Sequence, residues 1–184
     1  LQRAQEQLRA IRADRLRQQE YRAAVVQQYQ FMADYLMELS DHVAQRLTEP
    51  AQRYSVEVAV YSNRIEADNG DRCIWFMGTG CKYYVLMCDG MGTGLGAVDE
   101  GKTAATLLKK LLCAGFPAKY ALRTLNSLCV LRGRSGAVTA DLAEISLDSG
   151  KATLYKWGAA PSYLLHRASA EKIGTAGPPP GLSV

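Results

Sequence analysis

The sequence predicts an α+β domain preceded by one long helix, on three observations. No glycine or proline interrupts residues 1–47, a stretch rich in Gln, Arg, Ala, Leu and Glu, which lose little rotamer freedom in a helix. Two blocks of strand-like pattern follow, around residues 55–88 and 138–167, with two helical patterns between them at about 98–113 and 117–131. Strands and helices that cluster in this way favour α+β over repeated βαβ units. The 184 residues, 48% hydrophobic, allow one domain with a sizeable core at 50–184 and an appendage at 1–49.

Taking the elements in order, the long helix ends at Glu49-Pro50, because proline disfavours helical dihedrals in the residue before it. With Leu1 at heptad position a, Leu1, Leu8, Arg15, Arg22, Tyr29, Leu36 and Val43 occupy a, and Ala4, Ile11, Gln18, Val25, Met32 and Leu39 occupy d. The seam is apolar at both ends and polar at Arg15, Gln18 and Arg22. Residues 25–43 are expected to bury this seam. For residues 1–22 two readings stand side by side, a stalk that pairs with its copy in a homodimer and a solvated linker helix. These 22 residues hold six arginines against three acids and account for most of the net charge of +4. Without a pattern of interleaved aromatics they read as a solvated helix face, and no nucleic-acid partner is expected.

Residues 55–61 alternate, with Val56, Val58 and Val60 on one face of an expected strand. Residues 72–77 and 82–88 form an expected hairpin about Gly78-Thr79-Gly80. In the first helix after it, Leu107, Leu108, Leu111 and Leu112 share a face; in the second, Ala118, Ala121, Leu122, Leu125, Leu128 and Cys129 do so behind Pro117. Residues 139–147 and 152–157 flank the turn Asp148-Ser149-Gly150-Lys151, and a short strand is expected at 163–167. The five cysteines show no CxxC spacing and read as reduced core residues in a cytoplasmic compartment, with no zinc site or disulfide frame. No apolar run approaches the ~18 residues of a membrane span. Because the chain starts at Leu1, it is read as an excerpt whose parent is open to membrane anchoring upstream.

The chemistry centres on Tyr83-Tyr84-Val85-Leu86-Met87-Cys88-Asp89-Gly90, an apolar strand that ends in an acid and a row of glycines. A hairpin centred on Gly80 without a bulge pairs residues equally far from it, so Asp71 faces Asp89. Directly opposite residues have Cβ atoms about 4.5–5.5 Å apart, and two unit charges at ~5 Å repel by roughly 1–3 kcal/mol. A divalent cation between them reverses that sign, and hard oxygen ligands suit Mg²⁺ or Mn²⁺. The competing reading is a bulge that slips the register and leaves both acids solvated. Gly92-Thr93-Gly94-Leu95-Gly96 superficially suggests a dinucleotide loop, but its last two glycines are too close together and a second helix follows the first.

Asn69-Gly70-Asp71, then Asp89-Gly90-Met91-Gly92-Thr93-Gly94, Leu125-Asn126-Ser127-Leu128, Asp141-Leu142-Ala143, Gly158-Ala159-Ala160-Pro161-Ser162 and Pro180-Gly181 occur in that order. From about Val56 to Val184 the chain resembles the phosphatase domain of the stage II sporulation protein E type. That family belongs to the metal-dependent (PPM-type) serine/threonine phosphatases of bacteria. The resemblance implies an αββα sandwich, incomplete here, with a regulatory helix before it. It implies that Asp71 and Asp89 are the catalytic acids and, with the backbone carbonyl of Gly90, hold two Mn²⁺ or Mg²⁺ ions. A metal-activated water would hydrolyse phosphoserine or phosphothreonine in a phosphorylated protein such as an anti-sigma-factor antagonist. Two departures are visible. Arg72 and Cys73 follow Asp71 where the family has small or hydroxyl residues, and its later Gly-Asp and Ser-Asp-Gly segments find no match before Val184. Asp141 and Asp148 are poor substitutes for those acids, so this excerpt is expected to bind metal weakly and be nearly inactive. A non-catalytic, PPM-like binding module acting through its amino-terminal helix is the alternative.

Overall fold

The computed structural model describes residues 2–45, 51–61, 70–92, 95–132, 138–175 and 177–181. The helix stop expected at Glu49-Pro50, residues 62–69 and Thr93-Gly94 of the glycine block lie outside them. The chain divides into two units, residues 1–44 and 45–184.

The first unit is the helix α1, Gln2–Gln45. Residues 5–23 are exposed throughout. The expected a/d seam does not become the buried stripe. Tyr29, Met32 and Leu36 are exposed, whereas Ala24, Phe31 and Tyr35 are buried. Ala24, Phe31 and Tyr35 follow i, i+7, i+11 spacing, so they form one stripe, rotated away from the seam. A helix with two apolar stripes leaves the choice between them to its surroundings, which periodicity does not encode.

In the second unit, β1 (Asp71–Met77), β2 (Lys82–Gly90), β3 (Val138–Ser146) and β4 (Ala152–Trp157) form one antiparallel sheet in chain order. A separate hairpin joins β5 (Ser162–His166) to β6 (Ser169–Ile173). β6 falls beyond the short strand expected at 163–167. Its residues Ser-Ala-Glu-Lys-Ile carry no apolar alternation and are exposed up to Ile173. Residues 51–61 form no strand. Arg53 and Tyr54 donate their N–H groups to the carbonyl of Leu147 (2.8 and 2.9 Å), and Val56 and Val58 are half-buried. The alternation there marks a half-buried face, but a strand also needs a neighbour to complete its ladder.

Helices α2 (Leu95–Cys113) and α3 (Ala118–Arg132) carry the expected apolar faces. Leu108, Leu112, Leu122 and Leu125 meet Leu86, Cys88, Ala140 and Leu142 in one core, and Leu86, Leu108, Leu112 and Leu142 are wholly buried. Each such leucine contributes roughly 1.5–3 kcal/mol by leaving water. The turn between the helices is a Schellman cap: Gly115 takes φ 89°, its N–H reaches Leu112 O, and the Phe116 N–H reaches Leu111 O. The structure is therefore α+β, with helices on one sheet face and a small second sheet. On the other face, Trp75, Met77 and Met87 are about half exposed.

Candidate functional site

The β1–β2 register is unbulged, pairing Met77 with Tyr83 at the turn and Asp71 with Asp89 at the open end. The turn closes through Gly80 (φ 65°) and Cys81 (φ 55°), with the Gly78 N–H donated to Lys82 O at 2.8 Å. Along β2, Tyr84, Leu86, Cys88 and Gly90 are buried, while Met87 and Asp89 are exposed. The period of two thus sends the acids to the face opposite the helices.

What brings α2 against these strand ends is a set of glycines. A Cβ added at Gly90 would lie 2.0 Å from Ala97 O, one at Gly101 would lie 2.1 Å from Gly70 O, and one at Gly70 would lie 2.6 Å from Gly90 O. These are backbone atoms, so no side-chain adjustment relieves the clash. Gly70 and Gly90 belong to the motif blocks, and the Gly90 N–H meets Gly70 O at 3.4 Å. Gly101 escaped the sequence reading, although a signal was present: glycine inside a helix costs about 1 kcal/mol relative to alanine, and here it permits the close approach.

The carboxyl of Asp89 is held above the usual carboxylate range, first by partial burial, then by the charge of Asp71 and a hydrogen bond between the two side chains. The pair is electrostatically unfavourable when both members are ionised, which is the condition a cation relieves. Two carboxylates offering hard oxygen at one strand end fit Mg²⁺ or Mn²⁺ as part of a ligand set. Among the described residues no cluster of three or more His, Cys, Asp or Glu forms. Gly90 closes β2 opposite Val138 and is buried. Arg72 turns its guanidinium back to the main chain, donating from Nη1 to Asp71 O at 3.1 Å.

Asp141 and Asp148 are each held by a partner. Asp141 stands on β3 opposite Met87, two pairs along from the Asp89–Thr139 pair. It forms an ion pair with Lys156, whose side chain is only 4% exposed and also donates to Ser162 Oγ at 2.8 Å. Asp148 accepts a hydrogen bond from the Ser146 hydroxyl, which lowers its carboxyl below the ordinary value. Three motif blocks prove structural: the Gly181 N–H donates to Asn126 Oδ1 at 2.7 Å, the Gly158 N–H donates to Gly177 O at 3.0 Å, and a Cβ at Gly158 (φ 71°) would meet Pro179 at 2.6 Å.

Comparison with known proteins gives a consistent result. The chain is 32% identical over 102 residues to Stage II sporulation protein E of Bacillus subtilis (strain 168), covering 55% of this chain and 12% of that protein. The same identity and length hold for the Priestia megaterium protein, of which 17% is covered. The chain therefore spans a small part of these relatives. A solved structure of the PP2C phosphatase domain and a regulatory-domain fragment of the cell fate determinant SpoIIE from B. subtilis superposes with a TM-score of 0.56 at 31% identity. That match covers 61% of this chain and 34% of the other. The RsbU and RsbW domains of a Mycobacterium tuberculosis protein share the fold, with a TM-score of 0.55 at 23% identity, 63% of this chain and 34% of the other being covered. The sequence profile described as Stage II sporulation protein E (SpoIIE) matches residues 79–184, a stretch that includes Asp89 and Gly90 and begins after Asp71. More than half of the chain lies in that match, and the chain belongs to the Stage II sporulation protein E family.

Proposed function

We propose that this chain carries part of the active site of a metal-dependent protein serine/threonine phosphatase in sporulation or sigma-factor signalling. The observation that supports this best is the unbulged pairing of Asp71 with Asp89, in a chain of a family with a solved PP2C phosphatase domain. Bound Mn²⁺ or Mg²⁺ supplies a water of lowered pKa and neutralises phosphoryl oxygens. Asp71 and Asp89 present carboxylate oxygens from neighbouring strands, and the Gly90 carbonyl is the third proposed donor. The tight turn at Gly80 and Cys81 sets the register, and Gly70, Gly90 and Gly101 admit the α2 backbone that braces the strand ends. No side-chain nucleophile is required: Cys88 and Cys129 are buried, and burial pushes their thiols up to about 12 and about 11, far from the thiolate form.

The proposed substrate is a phosphorylated signalling protein such as an anti-sigma-factor antagonist. The test is manganese-dependent release of phosphate from a phosphoserine protein by the complete catalytic domain. Asp71→Asn and Asp89→Asn should each abolish it, and activity that survives both substitutions rejects the assignment. A second reading, a non-catalytic module acting through α1, draws on the exposed seam residues Leu8, Ile11, Met32 and Leu36. Self-association through α1 fits either reading; an unchanged monomer mass with and without residues 1–22 would remove it.

A further inference from the structure

On the helix side of the sheet, away from the acid pair, a groove of about 490 Å³ runs between β1 and α2. Arg72, Lys102, Lys109 and Lys110 line it over an apolar floor that includes Ile74 and Ala105, and among the described residues no carboxylate lines it. Among the described residues, none of these four cations takes part in an ion pair, unlike Lys82 with Glu144 and Lys156 with Asp141. Lys109 instead lies over the ring of Phe76, 5.6 Å from its centroid. Lys82 and Lys156 meet carboxylates, whereas the groove gathers four cations in one concave site, and such a row selects for an anionic ligand.

The shape narrows the ligand further. Lys102 and Lys110 are separated by about 12 Å along the helix, the length of about four residues of extended chain. Among the described residues no exposed aromatic ring lines the groove, so bases find no stacking platform there. Three of the four cations are lysines, compact charges suited to dispersed carboxylates more than to a bidentate phosphate clamp. Among the described residues β1 is an edge strand of its sheet, and Arg72 directly follows Asp71. A chain crossing that edge therefore meets the groove on one face and the acid pair on the other.

We infer that this groove docks an acidic segment of about four residues belonging to the phosphoprotein on which the Asp71–Asp89 pair acts. The inference rests on the phosphatase reading for the identity of the partner, but its test reads binding alone. A fluorescein-labelled peptide of alternating Glu and Asp is titrated into the chain and followed by anisotropy. The double variant Lys109→Glu/Lys110→Glu should weaken binding about tenfold or more, and Lys102→Glu, about two turns away, should act in the same direction. Lys151→Glu/Lys172→Glu makes the same charge change on exposed positions outside the groove and should alter affinity by less than about twofold. Equal losses in the two double variants would show general charge attraction and overturn the proposal. So would tighter binding of a single-stranded oligonucleotide lost in the same groove variants. A complete catalytic domain that binds the peptide yet hydrolyses no phosphoprotein defeats the phosphatase reading and keeps the groove; one that hydrolyses without binding the peptide does the reverse.

Discussion

The two faces of β2 carry different burdens. Tyr84, Leu86 and Cys88 point toward α2 and are buried, whereas Met87 and Asp89, one residue out of step, are exposed on the opposite face. The first set holds the sheet to its helices; the second brings two like charges together at the strand ends. Strand alternation lets one segment do both, because neighbouring residues share a backbone and little else. Substitutions on the two faces should therefore have effects that differ in size and, at the acids, in sign.

The largest effect is expected at Leu86, wholly buried in the core. Leu86→Ala should lower stability by about 3–4 kcal/mol through lost burial and a residual cavity, read as a fall in the urea midpoint. Next comes Gly101→Ala. At an unhindered helix position this change stabilises by about 1 kcal/mol, but here the new Cβ meets Gly70 O at 2.1 Å. A net loss of about 1–2 kcal/mol is expected from overpacking, and a gain would refute the close approach that seats α2 on the strand ends.

The acids should respond with the opposite sign. Asp89→Asn in metal-free protein should raise stability by about 0.5–1 kcal/mol, a Coulomb repulsion reduced by solvent at an exposed pair. The pH dependence follows from the raised carboxyl of Asp89. A carboxyl raised on folding binds more protons in the native state, so its contribution favours the metal-free fold below its raised value and is lost as pH rises through the window above the ordinary value near 4. The stability difference between wild type and Asp89→Asn should accordingly shrink on acidification; a difference that stays constant would remove the repulsion. The smallest effect is expected at Met87, half exposed on the acids' face. Met87→Ala should cost no more than about 0.5 kcal/mol in thermal or urea unfolding.

The hairpin was legible because an unbulged period of two and a glycine turn leave one register, and that register alone places Asp71 opposite Asp89. The α2 and α3 faces were legible from leucine spacing for the same local reason. Non-local features were harder. β6 is polar and is held by its pairing with β5, and residues 51–61 alternate without a ladder partner. The stripe that α1 buries depends on what surrounds the helix, since Phe31 and Tyr35 compete with a seam of comparable apolarity. At the site, the carboxylates were visible and Gly101 was not. Its role depends on Gly70 O, 31 positions earlier (101 − 70), lying 2.1 Å from where its Cβ would stand.

Asp71 and Asp89 are proposed to hold a divalent cation together. Thermal unfolding of this chain with and without Mn²⁺ tests it most directly, since a cation bound to the native state raises the midpoint by mass action. The wild-type midpoint should rise with Mn²⁺ concentration, and the rise should vanish in the Asp71→Asn/Asp89→Asn double variant. An equal rise in both proteins would place the metal elsewhere and contradict the account.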